Sequence, residues 1–133
     1  MSGGAFVVRE ADAVLESWND PIRGEVSFRT VLGGGEIGSR GLVHGIAYLA
    51  PGKVEGAHHH PDADETIHVL AGAGSARLDD RVEPLAAGDT VFVPAGTVHE
   101  WRAGTEGMRF LYSFPADRFD AITYIFAAGT PPS

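Results

Sequence analysis

The chain has 133 residues, of which 44% are hydrophobic and 21% are charged, so it is long enough and apolar enough to bury one core. It contains no cysteine, which excludes disulfides, thiolate metal ligands and a cysteine nucleophile. The formal net charge is −8, a sign that repels phosphate backbones and acidic membrane surfaces, so neither nucleic acid nor a membrane is expected as a partner.

The N-terminal region shows no pattern of a signal peptide. Charged residues interrupt the first 30 positions, and the apolar run 45–52 contains Pro51 and is followed by Lys53, so it is too short for a membrane span. We therefore expect a cytoplasmic protein with a single domain over residues 1–133 and a core over about 25–114.

The distribution of glycine and proline predicts a β-rich chain. With 18 glycines and 8 prolines, only the stretches 5–19 and 115–126 could sustain a helix, and 11–16 is expected to form a short helical turn. Short β-rich runs fill the region between them at intervals of about 8–12 residues. These runs are 25–32, 42–50, 65–71, 75–79, 82–85, 90–93, 99–103 and 108–114. Such a series favours an antiparallel jelly roll over a βαβ fold, with a tight hairpin turn at Asp79-Asp80.

Three consecutive histidines lie in the middle of the chain, at positions 58 to 60. On a strand, His58 and His60 would share one face while His59 points away. Their Cα atoms would be roughly 6.5–7 Å apart, so both imidazoles could reach one metal ion through bonds of about 2.0–2.2 Å. A purely structural or surface role explains such a pair equally well.

A carboxylate follows at a spacing that places it beside these histidines. Glu65 alternates with apolar residues such as Ile67 and Val69, so its face should point into a core. Asp64 shares the opposite face with His68 in a mixed set that suits the outside of the protein. A buried carboxylate is costly unless it is paired or coordinated, which favours Glu65 as a metal ligand and argues against Asp64 and His68.

A further histidine begins the strand that follows the turn at Pro94 and Gly96. This residue, His99, would complete a set of three imidazoles and one carboxylate. Around a divalent ion such a set leaves a net charge near +1 and one or two open positions, as a catalytic metal site requires. The candidate ligands are therefore His58, His60, Glu65 and His99.

Two motifs in the chain resemble those of the cupin superfamily. The motif G-x5-H-x-H-x3-4-E-x6-G is matched at every defined position, by Gly52, His58, His60, Glu65 and Gly72. The motif G-x5-P-x-G-x2-H-x3-N is matched by Gly88, Pro94, Gly96 and His99, but Ala103 stands in place of its asparagine. The resemblance implies an all-β jelly-roll barrel, or double-stranded β-helix, with a short N-terminal segment, usually as a homodimer.

The resemblance also implies one divalent ion of Fe, Mn, Ni, Zn, Co or Cu on the four candidate ligands. The sequence does not select among these ions. A redox-active iron would support a dioxygenase, whereas a redox-inert zinc or nickel would support cyclisation, isomerisation or elimination.

Strand alternation nominates residues for a substrate pocket. Trp101 shares the face of His99, and Tyr112 lies on the apolar face of the last run, although either could simply be core. His44 and Tyr48 share a face that points either inward, as a proton-transfer pair beside the metal, or outward to a dimer or solvent surface.

The few basic residues near the ligands argue against a phosphorylated sugar and favour a small, largely apolar or aromatic substrate. The run 45–52 and the chain length are similar to those of cupins that act as cyclases on aromatic polyketides. We therefore predict a metal-dependent enzyme, a cyclase or isomerase or else a dioxygenase. The alternative is a non-catalytic cupin that stores or senses a metal or small ligand.

Overall fold

The computed structural model describes residues 4–132, which are almost entirely β. The strands are β1 (Glu16–Asp20), β2 (Gly24–Leu32), β3 (Val43–Leu49), β4 (Val54–His59), β5 (Glu65–Leu78), β6 (Arg81–Ala86), β7 (Thr90–Val93), β8 (His99–Phe114) and β9 (Ile125–Phe126). Two single 3₁₀ turns cover Glu10–Asp12 and Phe119–Ala121. Within this part of the chain, no helix is long and apolar enough to cross a membrane.

The strands form one antiparallel sheet that closes into a barrel. Their hydrogen-bonded order is β6-β5-β8-β3-β2-β4-β9, with β1 added to β2 and β7 added to β5. Closure comes from β4, which pairs with β2 on one side and with β8 on the other, so that His58 lies directly opposite His99. The predicted all-β jelly-roll barrel is confirmed, including the hairpin turn at Asp79-Asp80 between β5 and β6.

In two places, two predicted runs join into one long strand. The runs 65–71 and 75–79 belong to β5, and the runs 99–103 and 108–114 belong to β8. The glycines between them do not end the strands but form bulges, with register shifts near Gly72. A Cβ at Gly72 would lie 2.1 Å from the carbonyl oxygen of Gly107, so only glycine allows the two backbones to approach this closely.

Both helix predictions are wrong, because sheet pairing and aromatic packing outweigh local helix propensity. Instead of a helical turn over 11–16, the chain forms the 3₁₀ turn Glu10–Asp12 and then β1, which pairs with β2 along its whole length. The stretch 115–126 contains only the turn Phe119–Ala121 and β9, which pairs with β4 at His58 and His59. Each segment thereby places aromatic side chains against the barrel.

Candidate metal centre

The four candidate ligands come together inside the barrel. His58 lies on β4, His60 follows its end, Glu65 begins β5, and His99 begins β8. All four residues are buried, and one ligand atom from each lies within 4.8 Å of the others. Asp64 lies outside this group, where its carboxylate accepts a hydrogen bond from the Ala95 amide.

His68 also lies outside the cluster, as the alternation of β5 predicts. Its Nδ1 is 2.8 Å from the Thr90 Oγ1 on the neighbouring strand β7. His59 differs from its two neighbours in the same way, since it is only half-buried and belongs to no metal-ligand group among residues 4–132.

Backbone carbonyls orient all three imidazoles of the cluster. Each ring donates a hydrogen bond through Nδ1–H, because a carbonyl oxygen can only accept. The pairs are His58 with Gly56 O (2.7 Å), His60 with Thr123 O (3.0 Å) and His99 with Thr97 O (2.9 Å). With the proton on Nδ1, each neutral ring presents the lone pair of Nε2 to the centre, which is the arrangement that supports metal-bound histidines.

The inward-facing atoms fit a divalent ion. Glu65 Oε1 lies 3.3 Å from His60 Nε2 and 3.1 Å from His99 Nε2. These three buried atoms have no hydrogen-bond partner, and lone pairs directed at one another repel unless a cation lies between them. Three neutral imidazoles and one carboxylate suit several first-row transition metals, so the donor set does not identify the ion.

Without a metal ion, a proton can lie between Glu65 and His99. Burial acts to raise the Glu65 pKa, but the neighbouring imidazoles of His60 and His99 lower it to about 2. Burial acts to lower the His99 pKa, but the adjacent Glu65 carboxylate, 3.1 Å away, raises it above its usual value. Burial, followed by the charge of His99, lowers the His58 pKa to about 3, so this ring is neutral at pH 7. A metal ion would therefore displace a proton held between Glu65 and His99.

A cavity of about 20 Å³ adjoins the cluster, and Glu65 forms part of its wall. Four aromatic residues, Trp18, Phe28, Phe119 and Tyr124, form what we call the aromatic box. Their ring centroids follow one another in a closed circuit at 5.0, 5.5, 5.9 and 5.3 Å. The box is continuous with the cluster, because the Tyr124 ring stacks on His58 with centroids 5.0 Å apart.

The cavity contains a second carboxyl, Glu55, which the sequence prediction does not include. Glu55 is three residues before His58, so regular alternation would place the two side chains on opposite faces. The register shifts between them, since Glu55 opposes Trp101 while His58 opposes His99. This bulge turns both side chains inward. No signal in a single sequence reveals such a bulge, although Gly56 between the two residues is compatible with one.

Close packing at Gly56 explains where the bulge occurs. A Cβ on this residue would lie 2.2 Å from the Ile22 carbonyl oxygen, and its amide donates a hydrogen bond to the Arg23 carbonyl. The inward turn buries the Glu55 side chain to about nine-tenths. Burial, and then the negative charge of Glu65, raise the Glu55 pKa to about 8.

The structure corrects three of the four predicted pocket residues. Only Tyr112 lines the cavity, where its hydroxyl lies 2.6 Å from Thr30 Oγ1. Trp101 is buried behind the cluster, with its ring 5.3 Å from that of His99, and is a core residue. His44 and Tyr48 are on the outer face of β3, because the residues that alternate with them, among them the buried Val43 and Ala47, point into the barrel.

On that outer face, each of the two side chains contacts a polar partner. His44 Nδ1 lies 3.0 Å from the Ser113 Oγ, and the Tyr48 hydroxyl donates a hydrogen bond to Glu10. Glu10 is also paired with Arg109 at 2.6 Å, so the N-terminal segment lies across this face of the sheet. His44 and Tyr48 are therefore not a proton-transfer pair beside the metal.

Comparison with known proteins agrees with the fold. The family model described as "Cupin domain" matches residues 45–114, more than half of the chain. This chain therefore belongs to the cupin family, and its buried group of three histidines and one glutamate could hold a metal ion.

The chain is similar to two curated relatives and to one solved structure in particular. It is 36% identical over 114 residues to the dimethylsulfoniopropionate lyase DddW of Ruegeria pomeroyi, covering 86% of this chain and 74% of that protein. It is 29% identical over 85 residues to the polyketide synthase CurC of Streptomyces cyaneus, covering 63% of this chain and 55% of that protein. The polyketide cyclase RemF from Streptomyces resistomycificus superposes with a TM-score of 0.77 over 93% of this chain and 86% of that chain, at 24% identity, which establishes shared fold.

Proposed function

We propose that this protein is a metal-dependent lyase that eliminates a neutral leaving group from a small onium carboxylate, such as dimethylsulfoniopropionate. One observation carries the proposal: a buried cluster of three histidines and one glutamate adjoins a cavity that is lined largely by aromatic rings. The 36% identity to the lyase DddW supports the same reaction class.

The cavity favours a small substrate with a positive end. A volume of about 20 Å³ holds roughly one water-sized group, so a compact molecule needs far less rearrangement to enter than a polycyclic one. Faces of aromatic rings attract sulfonium and quaternary ammonium groups through the ring quadrupole. Within residues 4–132, no lysine or arginine lines this space to repel such a cation.

The chain's own residues would orient such a substrate for elimination. His58, His60, Glu65 and His99 would hold a divalent ion, which when bound supplies a Lewis acid for the substrate carboxylate and so acidifies the neighbouring C–H bond. The aromatic box would receive the onium group at the other end. In the elimination, this C–H bond breaks and its electron pair forms the new C=C bond. The C–S bond then gives its electron pair to the departing sulfide, and the proton passes to water.

The direct test is headspace detection of dimethyl sulfide from dimethylsulfoniopropionate. The protein should be stripped with a chelator and then reconstituted separately with Fe, Mn, Ni, Zn, Co and Cu ions. We expect equal amounts of dimethyl sulfide and acrylate with at least one ion and none from the stripped protein. His58→Ala should lose both metal binding and activity, whereas His59→Ala on the same strand should keep both. Stoichiometric metal binding without product from this substrate would reject the lyase proposal.

A second candidate is a cyclase of aromatic polyketides, which the aromatic lining and the relationship to CurC favour. It requires the box to open, since the cavity is much smaller than a polycyclic product. The same reconstituted samples separate the remaining candidates. Oxygen consumption with an aromatic substrate would indicate a dioxygenase, cyclised product would indicate the cyclase, and tight metal or ligand binding without any turnover would indicate a storage or sensing protein.

A further inference from the structure

Glu55 is a buried carboxyl for which the protein supplies no cation. Within residues 4–132 it makes no hydrogen bond and no ion pair with a lysine or arginine, and its closest basic atom is His58 Nε2 at 3.7 Å. That ring nitrogen is directed to the metal cluster, since His58 donates its Nδ1–H to the Gly56 carbonyl. Arg23, whose guanidinium lies 5.2 Å from the centre of the Trp18 ring, is already paired with Asp20 at 2.7 Å.

The fold places this unpaired carboxyl at a defined point of the substrate cavity. Glu55 lines the same space as the four rings of the aromatic box. Its inward orientation depends on the bulge at Gly56, which departs from the regular alternation of β4. A buried carboxyl without a partner is costly, so a bulge that directs one into a cavity indicates a partner that arrives with the ligand.

The geometry argues against a role for Glu55 as a fifth metal ligand. The four cluster residues each offer an atom within 4.8 Å of all the others, and Glu55 does not belong to that group. Glu55 therefore lies beside His58 at the edge of the cluster, on the side where the cavity begins.

We propose that Glu55 determines specificity by pairing with the positive sulfonium or ammonium group of the substrate while the aromatic box surrounds its methyl groups. This inference rests on the proposed function and assigns to one residue the preference for a charged substrate. An arriving onium charge favours the ionised form of Glu55, and a carboxylate beside aromatic rings stabilises a poorly hydrated organic cation more than either group alone.

The test compares two ligands of the same shape that differ in charge. These are 3-(trimethylammonio)propionate and its uncharged counterpart 4,4-dimethylpentanoate, each titrated calorimetrically into zinc-loaded protein. We expect the wild type to bind the ammonium compound at least about tenfold more tightly. Glu55→Gln, which keeps the shape and removes the charge, should bring the two dissociation constants within about twofold of each other. Glu55→Asp should retain part of the preference, and Glu25→Gln, which alters an exposed carboxylate, should retain all of it.

Zinc content and dimethyl sulfide release are measured on the same samples. An unchanged preference in Glu55→Gln would overturn the role of Glu55, and if the wild type still releases dimethyl sulfide, the lyase proposal stands. Loss of zinc from Glu55→Gln would overturn the specificity role of Glu55 and would indicate that Glu55 is a metal ligand. A wild type that binds neither compound, or prefers the uncharged one, also overturns the assignment, and absence of dimethyl sulfide then rejects the lyase proposal as well.

Discussion

Replacing Glu55 by glutamine should stabilise the metal-free protein at neutral pH. The folded chain raises the Glu55 pKa to about 8 from its usual value of 4.5, with burial as the largest cause and the charge of Glu65 as the next. Between these two values the folded protein holds a proton that the unfolded chain releases. Its free energy of unfolding therefore falls as the pH rises through this window, and glutamine, which cannot ionise, removes the loss.

The size of the effect follows from the width of the window. Each unit of pKa difference corresponds to about 1.4 kcal/mol, so between pH 4.5 and pH 7 the Glu55 carboxyl lowers the free energy of unfolding by about 3 kcal/mol. For a domain of this size, that corresponds to a rise in Tm of roughly 10 °C for Glu55→Gln at pH 7 and almost none at pH 4.5. Bound zinc should reduce the gain, because a nearby positive charge favours the ionised carboxylate of the wild type.

Thermal unfolding of chelator-treated wild type and Glu55→Gln, followed by circular dichroism at pH 4.5, 6 and 7, measures this difference. Glu25→Gln is the matched control, since that side chain is 43% exposed, and its Tm should change little at any of these pH values. A gain that is equal at pH 4.5 and pH 7 would refute the electrostatic explanation. A loss of stability at pH 7 would show that the Glu55 carboxylate has a stabilising partner in the folded protein.

Three further predictions concern the cluster and the packing around Tyr112. Zinc at a hundredfold excess over its Kd should raise the free energy of unfolding by about 2.7 kcal/mol, and Glu65→Gln should abolish most of this rise; an unchanged rise would place the zinc elsewhere. Tyr112→Phe should lower the free energy of unfolding, measured in urea, by about 1–3 kcal/mol, because it leaves the buried Thr30 hydroxyl without its partner. The double variant Thr30→Val with Tyr112→Phe should lose less than the sum of the two single losses. Gly45→Ala should lower the free energy of unfolding by about 1–3 kcal/mol, since its Cβ would lie 2.2 Å from Tyr112 Cζ. In the Tyr112→Leu background, the same substitution should cause a smaller loss.

The candidate metal cluster could be predicted from the sequence because the position of each of its residues follows from local rules. His58 and His60 share a face through simple alternation, and Glu65 differs from Asp64 by the apolar residues on its side of β5. The turn before His99 is marked by proline and glycine. These rules act over a few residues, so one sequence contains enough information to apply them.

The cavity could not be predicted in the same way, because it depends on contacts between distant segments. Phe28 meets Phe119 only after the stretch 115–126 has returned across the barrel, and that stretch has a helix-compatible sequence. The orientation of Glu55 depends on a bulge fixed by the Ile22 carbonyl, more than 30 positions from it. For His44 and Tyr48, alternation shows that they share a face but not which face is covered by the rest of the fold.

The ligand cluster and the aromatic box of the candidate site come from different regions of the chain. The part of the chain that matches the cupin model, residues 45–114, contains all four candidate ligands and Glu55 but none of the aromatic box. Trp18 comes from β1, Phe28 from β2, and Phe119 and Tyr124 from the segment after β8. The same barrel and ligand set could therefore serve different reactions when the flanking segments change. Substitutions in those segments should alter which substrate is accepted while leaving metal affinity intact, because Tyr124 stacks on His58 without supplying a ligand atom.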